Sequence, residues 1–269
     1  MAELKIITQN LDRFNDYEMT DRPKQETDLD ILEAMKGKYN KAGVDVSDVD
    51  IFAFQELGRI SKKTNYPVYI TETLVVKESL KENMRVSGRA EEIWDETFPW
   101  AEFVSYLDER DIEFAGKTIK IINFHSSPKY DLGVRYTLLR RISEIPKNRL
   151  IILLGDFNAA FPGQMAAEEK KFIRSAIFLE KITNLGFREC LEEESENGPR
   201  HTHSYGKIDH IFISESLFNL LRDSNPEKDK EKPYEIQYIH EVNRKRRLES
   251  KDAFTNHSGI KLTIELPDT

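Results

Sequence analysis

Leu150-Ile151-Ile152-Leu153-Leu154-Gly155-Asp156-Phe157-Asn158 is the stretch that decides how this chain is read. Five consecutive apolar residues mark a buried strand. Gly155 then lets the backbone bend or pass close to a neighbour. Asp156 and Asn158 follow at an i, i+2 spacing, which puts a carboxylate and a carboxamide on one side of an extended segment. Hard cations and phosphate groups are held by convergent oxygen and amide groups of this kind. The same residues also suit a turn closed by an Asx hydrogen bond. By itself the string leaves both readings open.

The pattern recurs along the chain. Leu4-Lys5-Ile6-Ile7-Thr8-Gln9-Asn10 ends in Asn10, Asp50-Ile51-Phe52-Ala53-Phe54-Gln55-Glu56 in Glu56, and Ile119-Lys120-Ile121-Ile122-Asn123-Phe124-His125 in His125. Lys207-Ile208-Asp209-His210-Ile211-Phe212-Ile213 is inverted and opens on its polar pair. Thr255-Asn256-His257-Ser258 stands directly before the alternating strand Gly259–Leu266. Strand ends that all carry Asn, Glu, His or Asp are what a site on the rim of a β-sandwich looks like in one dimension.

Taken in order, Thr8-Gln9-Asn10, Gln55-Glu56, Asn123-Phe124-His125, Gly155-Asp156-Phe157-Asn158, Lys207-Ile208-Asp209-His210 and Asn256-His257-Ser258 resemble the motifs of the endonuclease/exonuclease/phosphatase superfamily. These are metal-dependent hydrolases that include deoxyribonuclease I and the exonuclease-type apurinic endonucleases. The resemblance runs from residue 4 to residue 266. Leu185-Gly186-Phe187 and His201-Thr202-His203 stand where relatives carry a G-F segment and a short Thr-centred strand. It implies an α/β (α+β) fold, a four-layered sandwich of two packed mixed β-sheets flanked by helices. Two departures matter. Asn256 stands where most relatives carry Asp, and between Glu56 and Trp100 no hairpin with a small-residue turn is evident. That stretch holds Lys77-Glu78-Ser79-Leu80-Lys81-Glu82 and reads as remodelled, so substrate inference is weakest there.

Composition sets the bounds. A chain of 269 residues fits a single domain, 1–269, large enough to bury a substantial core. No apolar run approaches the ~18 residues a transmembrane helix needs, and no basic n-region with an apolar stretch opens the chain. The lone Cys190 excludes an internal disulfide and a thiolate metal cluster, which makes a cytoplasmic protein the expectation. A net charge of −8 cuts against a large basic nucleic-acid surface without excluding a local one. Arg244-Lys245-Arg246-Arg247 is the densest basic run, read either as a solvated helix face or as a phosphate-contacting patch.

Periodicity predicts one layered unit. Helices are expected over Leu29–Lys41, Val134–Glu144 and Gln164–Leu185. Strands are expected over 51–54 and 67–76, with a hairpin of Phe103–Leu107 and Glu113–Phe124 around Ala115-Gly116-Lys117. Leu191–Pro199 reads as an acidic loop, and Asp223–Pro233 as an excursion with two prolines.

The resemblance also implies roles. Glu56 is the first choice for a divalent-metal ligand, with Asn10 assisting as a neutral ligand or by orienting Asp156, and Asn256 beside the last His. Asp156 orients or deprotonates the attacking water. Asn158 donates its amide to a phosphoryl oxygen, where a carboxylate would repel developing charge. Asp209 and His257 form a carboxylate–imidazole pair, His257 acting as base or as electrostatic clamp. His125 contacts substrate and stabilises the transition state or leaving group. Alternation puts His210 on the face opposite Asp209, where a structural role is expected. His201 and His203 share a face as an H-x-H pair, with a short strand lining the cleft the favoured reading over a metal site.

These roles amount to a divalent-metal-dependent phosphodiester hydrolase using Mg²⁺, for which Mn²⁺ can substitute, with nucleic acid, DNA first, as substrate and no obligate protein partner. A phosphoesterase of the same fold acting on a small-molecule or lipid phosphate, of inositol phosphate or sphingomyelin type, is the alternative. The acidic balance favours it, but Lys207-Ile208-Asp209-His210 lacks the R-x-D-R-type motif of the inositol phosphatases. A non-catalytic binding protein on this fold is a third reading, suggested only by Asn256.

Overall fold

Strand alternation builds the molecule, because each central strand is apolar on both of its faces and must be covered twice. The computed structural model describes residues 1–11, 28–55, 58–60, 67–69, 74–76, 90–93, 105–126, 131–162, 164, 173–190, 202, 207–225, 232–242, 255 and 257–268. In chain order its elements are β1 (Ala2–Asn10), α1 (Asp28–Lys41), β2 (Ile51–Gln55), β3 (Gly58–Ile60), β4 (Pro67–Tyr69), β5 (Leu74–Val76), β6 (Ala90–Ile93), β7 (Ser105–Phe114) and β8 (Lys117–His125). They continue with α2 (Asp131–Glu144), β9 (Leu150–Asp156), α3 (Ile173–Asn184), β10 (Phe187–Glu189), β11 (Asp209–Ser214), α4 (Glu215–Ser224), β12 (Tyr234–Ile239), a 3₁₀ turn (His240–Val242) and β13 (Gly259–Leu266).

One sheet has the order β12-β13-β1-β2-β5 and the other β10-β11-β9-β8-β7-β6, with β3 and β4 forming a separate ribbon. Both large sheets are mixed: β1 is parallel to β2 and β8 to β9, while β13 and β11 run antiparallel to β1 and β9. Leu4 and Ile6, Ile119 and Ile121, Ile152 and Leu154, Ile211 and Ile213, and Ile260 and Leu262 interleave between the sheets. Outside the first sheet, Ile7, Phe52 and Phe54 pack against Met35 and Tyr39 of α1. Outside the second, Ile122, Phe124, Leu153 and Phe212 pack against Leu138 of α2 and Phe178 and Leu179 of α3. Each such residue, fully buried, is worth roughly 1.5–3 kcal/mol. The result is the expected four-layered sandwich of two mixed sheets flanked by helices.

Several expected elements differ in detail. The hairpin is longer than predicted, since β7 runs unbroken through Asp108-Glu109-Arg110-Asp111. Those charges pair locally, Arg110 with Asp108 at 2.6 Å and both Lys120 and Arg149 with Asp111 at 3.1 Å. Ala115 and Gly116, at φ 50° and 68°, make the two-residue turn whose twist suits such a hairpin. The strand expected over 67–76 is two strands, β4 in the ribbon and β5 in the first sheet. The ribbon pairs β4, part of that expected strand, with β3. Gln164 lies in a bend rather than a helix, held by hydrogen bonds to Phe161, and the described helix is Ile173–Asn184. Strands β3, β6, β10 and β12 and helix α4 were not anticipated. In α4, Ser214 caps the N-terminus and Leu217, Phe218 and Leu221 enter the central core. Strand β12 pairs with β13 along its whole length.

Candidate active site

The alternation that makes the core also makes the site. On β1 the inward face reads Leu4, Ile6, then Thr8 and Asn10; on β8 it reads Ile119, Ile121, then Asn123 and His125. On β9, Ile152 and Leu154 lead to Asp156, and β11 opens with Asp209 before Ile211. Because β1, β2, β8 and β9 end where β11 and β13 begin, the apolar core terminates in polar layers at one rim.

The deeper layer is neutral. Gln55 donates from Nε2 to Thr8 Oγ1 at 2.9 Å and to Asn123 Oδ1 at 2.7 Å, and Asn123 donates to the Phe54 carbonyl at 2.9 Å. These amides tie one sheet to the other and satisfy polar groups that burial would otherwise penalise. The next layer carries charge. Asn10 Nδ2 donates across the sheets to Asp156 Oδ2 at 2.7 Å, and the Asn158 backbone N–H donates to Asp156 Oδ1 at 2.8 Å. Asn158 Nδ2 in turn donates to the Ser126 carbonyl at 2.6 Å. Thus the Asx turn is present, with the Asn158 N–H on the Asp156 carboxylate and the Asn158 side chain bridging to Ser126.

Gly155 is there for close approach. At φ +134° it packs so tightly on β8 that a Cβ would lie 1.9 Å from the Phe124 carbonyl oxygen. Phe157, between Asp156 and Asn158, turns the other way into the outer core, edge-on to Phe212 and His210. The turn is therefore anchored by an aromatic ring between its two polar residues.

Asp209 is the register partner of Asp156, and His125 is its partner on the other side. His257 Nδ1 lies 2.9 Å and 3.2 Å from the two carboxylate oxygens of Asp209. Thr202 locks this pair in place. Its Oγ1 accepts from the N–H groups of Ile208 and Asp209 at 3.1 Å, and its carbonyl accepts from Ser258 N–H at 2.8 Å. Thr255 Oγ1 donates to the Asn10 carbonyl at 2.7 Å and accepts from His257 N–H at 3.2 Å, joining the His257 segment to β1.

Burial, reinforced by the Asp209 charge, pushes the Asp156 carboxyl up to about 6, against the pull of His257, His125 and the Asn158 N–H. Two carboxylates buried side by side make ionisation costly, and a cation between them relieves that cost. Asp156, Asp209 and His257 each offer a ligand atom, all within 4.8 Å of one another, and this group could hold a metal ion. Its carboxylate oxygens suit a hard divalent cation.

Of the residues singled out in the sequence, Asn10, His125, Asp156, Asn158, Asp209 and His257 are brought together. Glu56, Asn256, His201, His203 and Arg244–Arg247 lie outside the described residues. His210 faces away, bonded at Nδ1 to Glu189 at 2.6 Å and at Nε2 to the Ala159 carbonyl at 2.7 Å. Sequence reading missed Arg135, Ser126 and the Gln55–Asn123 bridge. Only the bridge left a signal, the polar continuation of inward-facing positions on β2 and β8.

The two-sheet sandwich is shared with solved structures. Over 99% of this chain and 100% of theirs, the endonuclease/exonuclease/phosphatase protein from Bacteroides vulgatus superimposes with a TM-score of 0.56 at 14% identity. TDP2 of D. rerio, solved with a single-strand DNA product, matches with a TM-score of 0.53 at 15% identity, covering 98% of this chain and 100% of its own. The endonuclease domain of the telomere-specific retrotransposon TRAS1 matches with a TM-score of 0.53 at 12% identity, over 98% and 99% of the two chains. At such identities the likeness is one of fold, and the fold is that of the endonuclease/exonuclease/phosphatase proteins. No protein-family model and no curated protein matches the chain. Among the described residues, no helix is long and apolar enough to cross a membrane.

Proposed function

We propose that this chain is a divalent-metal-dependent phosphodiester hydrolase whose substrate is a nucleic acid, DNA first. The observation that carries the reading is the meeting, at one rim and across two sheets, of the Asn10–Asp156–Asn158 chain with the Asp209–His257 pair. Two fold neighbours, an endonuclease domain and a protein solved with a single-strand DNA product, support the same class.

Glu56, with Asn10 and Asn256, would hold Mg²⁺ or Mn²⁺, and the carboxylates of Asp156 and Asp209 could share in holding it. A hard cation, when bound, would supply neutralisation of charge on the phosphoryl oxygens and activation of water. The remaining work falls to the chain. Asp156, oriented by Asn10 and by the Asn158 N–H, holds the attacking water and takes its proton. Asn158 keeps one amide hydrogen on Ser126 and turns the other to a phosphoryl oxygen. Asp209 fixes the ring of His257 through Nδ1 and favours its charged form, making it a clamp on developing negative charge. His125, beside Asp156, supports the leaving oxygen. The domain is read as one unit over 1–269, and the protein as cytoplasmic.

A second reading, a phosphoesterase for a small or lipid phosphate, draws on the net charge of −8. One panel separates the two: supercoiled plasmid, abasic duplex, single-stranded RNA, bis-p-nitrophenyl phosphate and inositol phosphates, each with Mg²⁺ and with EDTA. Cleavage of plasmid or duplex in Mg²⁺ alone is the expected result. Turnover confined to inositol phosphates would overturn the DNA assignment, and undiminished turnover in EDTA would overturn the metal mechanism.

A further inference from the structure

Arg135, on the second turn of α2, is almost wholly buried, with 6% of its surface exposed. Its Nη2 donates to the carbonyls of Phe157 at 3.2 Å and Asn158 at 2.9 Å, and its Nε donates to Ser126 Oγ at 3.3 Å. The guanidinium lies 5.0 Å from the centroid of the Phe178 ring. Ser126 closes the circuit: its carbonyl takes the Asn158 side-chain amide, and its N–H donates to the Asp156 carbonyl at 2.9 Å. Asn158 itself sits at φ +45°, in the left-handed region that asparagine enters more readily than most residues, and the Arg135 contacts to its carbonyl and to that of Phe157 hold the turn there.

We propose that Arg135 is a positioning residue that holds Asn158 in this conformation and so aims its carboxamide at the phosphoryl group. The inference rests on the hydrolase reading above and names a residue that reading did not use. A guanidinium suits the task because its donors are fixed in a plane, so that two carbonyls and a hydroxyl are gripped by one rigid fork. A lysine would bring the charge without the fork. Stacking on Phe178 sets the plane of the fork from behind. Arg135 thus ties the end of β8 to the turn after β9, and it contacts the backbone of that turn rather than any reacting atom.

The test compares Arg135→Lys, Arg135→Ala, Asn158→Ala and Arg135→Ala/Asn158→Ala on bis-p-nitrophenyl phosphate with Mg²⁺. Arg135→Lys and Arg135→Ala should each lower kcat by about 10- to 100-fold, with KM changed by less than about threefold. The double variant should be no slower than Asn158→Ala, because both changes remove the same aim. Losses that multiply in the double variant would overturn the proposal. A second readout needs no turnover. In metal-free protein, the Asn158 side-chain amide ¹⁵N–¹H resonance, assigned by its loss in Asn158→Asp, should move in Arg135→Lys and stay in the exposed control Arg140→Lys. An unmoved resonance in Arg135→Lys overturns the proposal even if the wild type hydrolyses no phosphodiester, a result that would instead count against the hydrolase reading. Should Arg135→Ala fail to fold, Arg135→Lys carries both readouts.

Discussion

Strand β11 carries two carboxylate–imidazole pairings from adjacent residues, one on each face, and their surroundings differ. On the inner face Asp209 holds His257 at 2.9 Å, next to Asp156. On the outer face His210 is bonded at both ring nitrogens, to Glu189 and to the Ala159 carbonyl. Lys207 donates to the same Glu189 carboxylate at 2.5 Å, and the rings of Phe157 and Phe212 enclose the imidazole. Pairing with a carboxylate therefore does not by itself mark a histidine as functional. What differs is the company. His257 stands among groups aimed at one point on the rim, whereas His210 ties β11, β10 and the turn after β9 into one unit.

That contrast is broken most severely on the outer face. Glu189→Ala leaves Lys207 and His210 buried without their shared carboxylate, and should cost about 3–5 kcal/mol of stability. Turnover per folded molecule should survive. Urea denaturation read beside turnover checks both, and an unchanged midpoint would contradict the buried network. The same cluster gives a pH signature. Burial alone would push the Glu189 carboxyl up, but Lys207 and His210 outweigh it and hold the group down at about 2. A depressed carboxyl contributes stability above its unfolded value, 4.5, and loses it as pH falls from there through 2. Thermal midpoints between pH 6 and pH 2 should fall more steeply for wild type than for Glu189→Gln. Parallel curves would mean that the cluster does not couple to folding in this way.

On the inner face the loss should be catalytic. Asp209→Ala and His257→Ala should each lower turnover at least ~10²-fold, with urea midpoints moved less than by Glu189→Ala. The double variant should be little worse than either single one, since groups acting as a unit are not additive. Strictly multiplicative losses would separate the two residues.

The smallest effect concerns Asn256. The resemblance implies a carboxylate where Asn256 stands, so an amide there would give the proposed site one negative charge fewer. Asn256→Asp should lower the Mg²⁺ concentration for half-maximal activity several-fold, in line with about 1 kcal/mol from one partly exposed carboxylate near a cation. Superimposed metal titrations would give Asn256 a capping role in the turn before His257 instead.

Much of this was legible because strand period is rigid. Once Leu4 and Ile6 face inward, so must Thr8 and Asn10, and the same count places His125, Asp156 and Asp209. It also sent His210 to the other face. Contacts made between elements left no such trace. Nothing in Val134-Arg135-Tyr136 says that its arginine reaches Ser126 and Asn158, and nothing near Glu189 announces Lys207 and His210, which lie in a different segment. Helix α4 was missed because it follows β11 with no breaker between them, the capping Ser214 serving as the last residue of the strand. Strand β12 was missed because Tyr234-Glu235-Ile236-Gln237-Tyr238 alternates only briefly after the charged excursion.

The most direct test is nicking of supercoiled plasmid by wild type, Asp209→Ala and Glu189→Gln at equal folded concentration, with Mg²⁺ and with EDTA. Nicking is expected from wild type and Glu189→Gln in Mg²⁺ alone, with Asp209→Ala slower by at least ~10²-fold. Equal nicking by wild type and Asp209→Ala, or nicking that persists in EDTA, would contradict a metal-dependent site at this rim.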